Sequence, residues 1–338
     1  MRNALTRHRR ASVTQTGEAP PVWVLETGPR PGPAESVAER LGLPYRVLHL
    51  RYTPLSWLAC LRRKGGPAGL GRDPEAEIDS PPAIVIASGA RGGAAALWLK
   101  AQYGTRAVFC GTPFLHGGTF DLIALPSDRY PGDDANVLSI LGPPHGFSPM
   151  QVQAAEFGWY ERLSHLPRPR VALIAGGPRW LGELQPARAH RLGRSIAALV
   201  SRQGGSIMAM AGRRTGAEAT DALAATLMGM PHDLHRAGEP GPDPLYGFLA
   251  LADAIVVTAD RIADIAHACA TTAPVYVAMP ELASRDQRAT LHALMEAGHI
   301  RWLAGSLAAY RRTPLDEAGR IAQEILRRFP LDEPEPAA

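Results

Sequence analysis

The 338-residue chain holds only three cysteines, Cys60, Cys110 and Cys269, each in an apolar context and without CxxC spacing. So low and odd a count argues against a disulfide framework and a thiolate zinc site, and leaves the thiols as small buried hydrophobes. Aromatic residues make up 6% of the chain, and no basic stripe interleaves with them, which argues against a nucleic-acid partner. No apolar run approaches the roughly 18–20 residues of a membrane span, so no transmembrane segment is expected, while peripheral membrane contact stays open. No GxGxxG follows the first apolar strand, no acidic residue stands about 20 positions beyond it, and Tyr-x-x-x-Lys does not occur. A nicotinamide-dependent oxidoreductase or epimerase is therefore disfavoured. There is no DxD-like metal signature and no period of 20–50 residues, so neither a metal, a cofactor nor a solenoid is expected.

What is present describes an ordinary globular protein of cytoplasmic type, with 46% hydrophobic and 20% charged residues and a net charge of +4. The length suits two domains. Residues 1–20 are arginine-rich with no acid before Glu18, and read as a disordered basic tail rather than a transit peptide; residues 331–338, LDEPEPAA, read as a disordered acidic one.

Between the tails, short apolar runs alternate with helical patterns, the signature of parallel α/β sheets. In the first half, strands are predicted at Val22–Glu26, Tyr45–Leu50, Ala83–Ala87, Ala107–Gly111, Asp121–Leu125 and Asn136–Leu138, with helices at 34–41, 54–63 and 94–103. Two turns there have the form of an anion loop. One carries Gly28 and Gly32. The other is Ser88-Gly89-Ala90-Arg91-Gly92-Gly93, whose small residues serve backbone approach to an anion or close helix–sheet packing equally well. His116 falls in a loop, as a solvated residue; Asp128 follows a strand at its carboxyl end and is the better candidate base. Gly142–Pro149 has the composition of a domain boundary, giving domains at 21–148 and 149–330.

In the second half, strands at Val171–Ala175, Ser206–Ala211, His232–Arg236, Ala254–Val257 and Pro274–Met279 alternate with helices, one of which spans Arg261–Ala270. Ligands of such sheets bind where strand carboxyl ends meet helix N-termini. That rule points to Thr258, Ala259, Asp260 and Arg261; Gly176-Gly177 forms a turn with free backbone amides, and Gly212-Arg213-Arg214-Thr215 follows the next strand. Arg261 reads either as an anion contact or as a solvated first-turn residue, and His267 as a packed or surface histidine.

Several of these stretches carry a resemblance: VALIAGGP at 171–178, Arg213-Arg214-Thr215, DPLYGFLALADAIVVTAD at 243–260 and ACATTAPVYV at 268–277, with TGPRPG at 27–32, ASGAR at 87–91, FDLIALPSD at 120–128 and Asn136-Val137. Over roughly residues 20–305 the chain resembles the elongated-mitochondria fission-protein family of plants and its bacterial relatives. That family is similar in turn to GT-B glycosyltransferases, in which two Rossmann-like doubly wound domains face a cleft that holds a nucleotide-sugar.

The resemblance implies a nucleotide or nucleotide-sugar in the interdomain cleft. Gly176, Gly177 and the Thr258–Arg261 turn would supply amides and a helix dipole, and Arg213 or Arg214 would pair with phosphate oxygens. The first domain would bind an unidentified acceptor and supply the base, Asp128. Against the family pattern, Ala259-Asp260-Arg261-Ile262-Ala263 stands where relatives commonly have Gly-Asp-Ser-Val-Ser. His267 replaces a glutamate, Ser127 a histidine, and Pro33-Ala34 stands where relatives tend to have Asp and Gln. Two functions follow: a glycosyltransferase-like protein, or a non-catalytic binding or scaffold protein on a degenerate GT-B fold.

Overall fold

The structure, a computed structural model, describes residues 21–26, 32–50, 66, 80–113, 120–127, 134–178 and 182–330. Expectations for Gly28, Cys60, His116, Asp128, the 54–63 helix and both tails lie outside those residues. The chain forms two compact units: one is Met1–Gly146 with Glu317–Ala338, the other Phe147–Asp316. The sequence-based partition has a single boundary at 148/149; here the chain changes unit twice.

In the first unit, β1 (Val22–Glu26), β2 (Tyr45–His49), β3 (Ile84–Ser88), β4 (Arg106–Cys110), β5 (Leu122–Pro126) and β6 (Val137–Ile140) form one parallel sheet. Its order is β2-β1-β3-β4-β5-β6. Because successive side chains point to opposite faces, β1 feeds two cores at once. Val22 and Val24 pack with α1 (Pro33–Leu41) and the C-terminal helix Glu317–Arg328, while Trp23 and Leu25 pack with α2 (Gly89–Tyr103). Coverage on both faces is what makes these strands read as uninterrupted apolar runs.

Helix α2 starts at Gly89, five residues before the expected start at Ala94, so the Ser88–Gly93 stretch is a helical first turn rather than an open loop. The glycines there serve packing: a Cβ on Gly93 would stand 2.8 Å from the Phe109 ring.

The C-terminal helix lies with the first unit for specific reasons. Ile321 and Ile325 are fully buried in its core, Leu141 N–H donates to Glu317 Oε1 at 2.8 Å, and Arg106 stacks on Phe329 at 5.7 Å. An amphipathic stripe reveals that a helix buries one face, but not against which sheet.

The second unit opens with α3 (Pro149–Leu163), whose Trp159 packs on Phe248 and directly over Gly247, a position with no room for a Cβ. Its sheet contains β7 (Arg170–Ala175), β8 (Ser206–Ala211), β9 (His232–His235), β10 (Ala254–Thr258), β11 (Val275–Ala278) and β12 (Arg301–Trp302), all parallel, ordered β12-β11-β10-β7-β8-β9. The two-residue β12 is too short to show alternation in sequence. The connecting helices are α4 (Pro186–Ser201), α5 (Ala217–Leu227), α6 (Leu245–Leu251), α7 (Ile262–Cys269) and α8 (Arg285–Glu296); the C-terminal helix is α9.

Each unit is thus a doubly wound α/β sheet. The strand order reverses between β1 and β3 in the first and between β7 and β10 in the second. Among the described residues no helix is long and apolar enough to cross a membrane.

Two outcomes follow for α9. Ile321→Ala leaves a cavity in the first unit's core and costs it about 2–5 kcal/mol. Hydrogen exchange in rising urea reads each unit separately, and the second unit's opening stays unchanged. Glu324 accepts hydrogen bonds from Arg327 and Arg328, Arg327 contributing most, and its carboxyl is held down to about 2. A depressed folded-state pKa gives stability above the unfolded carboxyl value that is lost as pH falls. Glu324→Gln therefore unfolds at lower urea than the parent at pH 7, by a margin that solvent keeps small, and the gap closes between about pH 4.5 and about 2.

Candidate functional site

The carboxyl ends of β7 and β10 meet at the reversal of the second sheet, where doubly wound folds leave a crevice. After β7 the chain runs into Gly176-Gly177, and after β10 into Ala259-Asp260-Arg261 before α7. The Gly176 N–H donates to Thr258 Oγ1 at 2.9 Å and the Gly177 N–H to Asp260 Oδ2 at 3.1 Å. The two amides that the sequence reading offers to a phosphate are therefore already engaged by side chains of the neighbouring strand end.

The same contacts explain the glycines. A Cβ on Gly176 would meet the Asp260 carboxylate and stand 2.8 Å from Arg261 Cγ and Cδ. One on Gly177 would collide with the Arg214 carbonyl, 2.7 Å from its carbon. Gly212, which follows β8, faces Arg261 as well: its Cβ would be 2.7 Å from Arg261 Nη1. The Arg261 side chain thus lies across both turns, its Nε donating to Asp264 Oδ2.

Thr215, fully buried, donates from Oγ1 to the Ala175 carbonyl at 3.0 Å and ties the 212–215 turn to the end of β7. It leaves Arg213 and Arg214 exposed, and among the described residues neither makes an ion pair. Asp260 is buried, and desolvation, the largest influence on it, pushes its carboxyl above the usual range against the opposing pull of Thr258, Gly177 and Arg261. Its backbone carbonyl accepts from Gln287 Nε2 at 2.8 Å, which joins α8 to the site. Its Oδ1 is buried without a hydrogen-bond partner.

Helix α7 is fixed at both ends by arginine. No side chain caps its N-terminus, where Arg261 is the N-cap residue. At the other end Arg312 donates to the carbonyls of Ala268, Cys269 and Ala273 at 2.7–2.9 Å, a cation on the negative end of the helix dipole. In the last turn, His267 packs against Tyr246, whose hydroxyl lies 3.3 Å from His267 Nε2, and Tyr246 stacks on Phe147 at 4.2 Å. Burial pushes the imidazole pKa down. His267 is thus the packed histidine of the sequence reading.

The first unit carries a counterpart at the ends of β1 and β3. Glu26, 3% exposed, ends β1 and accepts the Glu35 N–H in the first turn of α1 at 3.2 Å. A Cβ on Gly32, the residue preceding α1, would stand 2.6 Å from the Glu26 carboxylate. The negative charge expected of a ligand at this helix N-terminus is already supplied by the chain. Ser88 is the N-cap of α2, Gly89 is exposed at its start and Arg91 half-buried in its first turn. The structure brings together Gly176, Gly177, Thr215, Thr258, Asp260 and Arg261, with Arg213 and Arg214 beside them. The sequence reading missed Glu26 and Asp264; the only signal was an acid closing a buried apolar strand, and an acid three residues after Arg261.

Among the described residues no group of three or more His, Cys, Asp or Glu could hold a metal ion.

The family model described as Mitochondrial fission ELM1 matches residues 32–329. A Mitochondrial fission protein ELM1 from Arabidopsis thaliana is 28% identical over 202 residues, 59% of this chain and 47% of that protein, so the chain matches about half the length of this curated relative. Among solved structures, the UDP-GlcNAc 2-epimerase of Methanocaldococcus jannaschii is similar with a TM-score of 0.56 at 12% identity, over 91% of this chain and 99% of that one. Os79 from O. sativa, solved in complex with UDP, is similar with a TM-score of 0.53 at 11% identity, over 92% of this chain and 91% of that one. At such identities the likeness is one of fold, and the fold is GT-B-like.

The crowding at Gly177 gives a direct test. Gly177→Ala forces apart the 176–177 and 212–215 turns and lowers the thermal midpoint by several degrees, whereas Gly104→Ala, with open space around its Cβ, pays only for its left-handed backbone. Differential scanning calorimetry of both variants checks the ranking.

Proposed function

Because the chain belongs to the Mitochondrial fission ELM1 family, with a GT-B-like fold, we propose that its second unit binds the diphosphate of a nucleotide or nucleotide-sugar at the ends of β7, β8 and β10. One observation carries the reading. Arg261 reaches Gly212, beside the exposed Arg213 and Arg214, so three arginines stand near the sheet reversal, with Asp264 paired to Arg261 and the buried Asp260 carboxylate, bonded to the Gly177 N–H, beside it. Such an excess of guanidinium calls for an anion that can take bidentate hydrogen bonds, which phosphate oxygens do.

With Gly176 and Gly177 engaged internally, the phosphates are held by arginine side chains rather than by an amide cradle. Structures of the same fold solved in complex with UDP-GlcNAc and UDP make uridine diphosphate the first probe. Sugar transfer adds the need for a base, the role proposed for Asp128.

A second reading, a binding or scaffold protein without catalysis, draws on the same internal contacts. The carboxylates of Asp260 and Glu26 already accept the Gly177 and Glu35 amides, which are then not offered to a donor phosphate. Donor hydrolysis or transfer by the purified protein, abolished in Asp128→Ala, decides for the enzyme.

The binding reading predicts that UDP or a UDP-, GDP-, ADP- or CDP-sugar raises the thermal midpoint at millimolar concentration. Replacing Arg213 and Arg214 together by alanine weakens that ligand about tenfold or more in calorimetric titration. Stabilisation by none of the panel sinks the proposal.

A further inference from the structure

Arg261 is poised differently from its two neighbours. Arg213 and Arg214 are exposed, whereas the Arg261 side chain is 19% exposed and lies flat over Gly176 and Gly212. Both glycines lack the Cβ that would push it away. Its Nε is committed to Asp264, a residue 10% exposed on the first turn of α7, and no other ion pair holds Arg261 among the described residues. The guanidinium therefore covers the ground between the 176–177 and 212–215 turns, the ground assigned above to the diphosphate.

We infer that Arg261 is a latch on this site: closed, it pairs with Asp264 across the two glycine turns, and a diphosphate binds by drawing it off Asp264 and onto its own oxygens. The inference rests on the nucleotide-diphosphate reading and adds to it how the site opens and which ligands open it. A guanidinium held through one nitrogen to one carboxylate oxygen is drawn off by an anion that offers it a pair of oxygens in bidentate geometry. A diphosphate does so, and a bare nucleoside does not. The empty protein spends part of its intrinsic affinity on breaking the Arg261–Asp264 pair, so apparent affinity is reduced by the fraction of molecules in which Arg261 is free.

The geometry also explains why Asp264 sits where it does. A carboxylate in the first turn of a helix is favoured by the helix dipole without any partner, so it competes for Arg261 only moderately. The Asp260 carboxylate, the other acid nearby, is already bonded to the Gly177 N–H and is not released with the latch.

Inorganic pyrophosphate is the probe, titrated calorimetrically into the full-length protein and its variants. Asp264→Asn keeps the shape of the side chain but weakens its hold on Arg261, and is expected to bind pyrophosphate about five- to tenfold tighter than the parent. Arg261→Ala is expected to bind it about tenfold weaker. Adding Asp264→Asn to Arg261→Ala is expected to recover less than about twofold, because no latch is left to release. Asp264→Ala repeats the first arm should the asparagine variant misfold.

An equal gain from Asp264→Asn with and without Arg261 means that only the local charge has changed, and overturns the latch. So does unchanged or weaker binding by both Asp264 variants while the parent binds and the Arg213/Arg214 double variant is impaired, an outcome that leaves the nucleotide-diphosphate reading standing. Pyrophosphate binding by none of the proteins overturns both. Binding by Asp264→Asn where the parent shows none supports the latch outright.

Discussion

Two side chains at the end of β10 accept the two amides that follow β7, and the form of the second unit's reversal point depends on that exchange. Thr258 and Asp260 close hydrogen bonds that the 176–177 turn would otherwise offer to solvent or ligand, and buried donors left open are costly. Once Asp260 is drawn in this close, residue 176 can carry no Cβ, and the aliphatic stem of Arg261 settles over the gap. Thr215 ties the 212–215 turn back to β7. The turns after β7, β8 and β10 are thereby held as a single piece, with Gln287 attaching α8 to it through the Asp260 carbonyl.

The first unit solves the same local problem with other residues. Glu26 stands at the end of its strand, buried, with the first turn of α1 donating to it and a glycine making room. A carboxylate there has the attraction to a helix N-terminus that a phosphate would have. It also weighs on its neighbours: burial chiefly, and the Glu26 charge after it, push the Cys110 thiol up to about 12, which leaves that thiol inert at neutral pH. In both units an internal acid accepts a backbone amide at a strand-end turn, the part of a doubly wound sheet where ligands bind. The proposed diphosphate site therefore rests on cationic side chains of the second unit, Arg213, Arg214 and Arg261.

How much of this could be read from the chain follows from which interactions are local. The strands were legible because both faces of each sheet are covered, so β1, β3, β7, β8 and β10 are continuous apolar runs. The helical boundaries mostly follow glycine stops and proline starts, as at Pro33 and Gly42 in α1. The convergence of Gly176, Gly177, Thr258, Asp260 and Arg261 was legible from topology, since parallel strands bring their carboxyl ends to one edge. What the glycines do there was not. A glycine that admits a ligand and one that admits a neighbouring side chain look identical in sequence, and only the position of Asp260 and Arg261 separates the two. Gly93 repeats the ambiguity, resolved by the ring of Phe109. The partner of α9 was hidden for a different reason: the contacts of Glu317 with Leu141 and of Arg328 with Ala135 span 176 and 193 residues of chain.

That long return has a bearing on how the protein is made. Synthesis delivers the strands of the first unit first, yet one face of their sheet lacks Ala318, Ile321 and Ile325 until the ribosome has passed residue 325. The second unit has all of its strands once Trp302 is out, and all of its residues by Asp316. The unit begun second is therefore the one that can close first. The earlier one waits with Val22, Val24, Ile84 and Ile86 incompletely covered, which marks it as the stretch of nascent chain most in need of protection from aggregation.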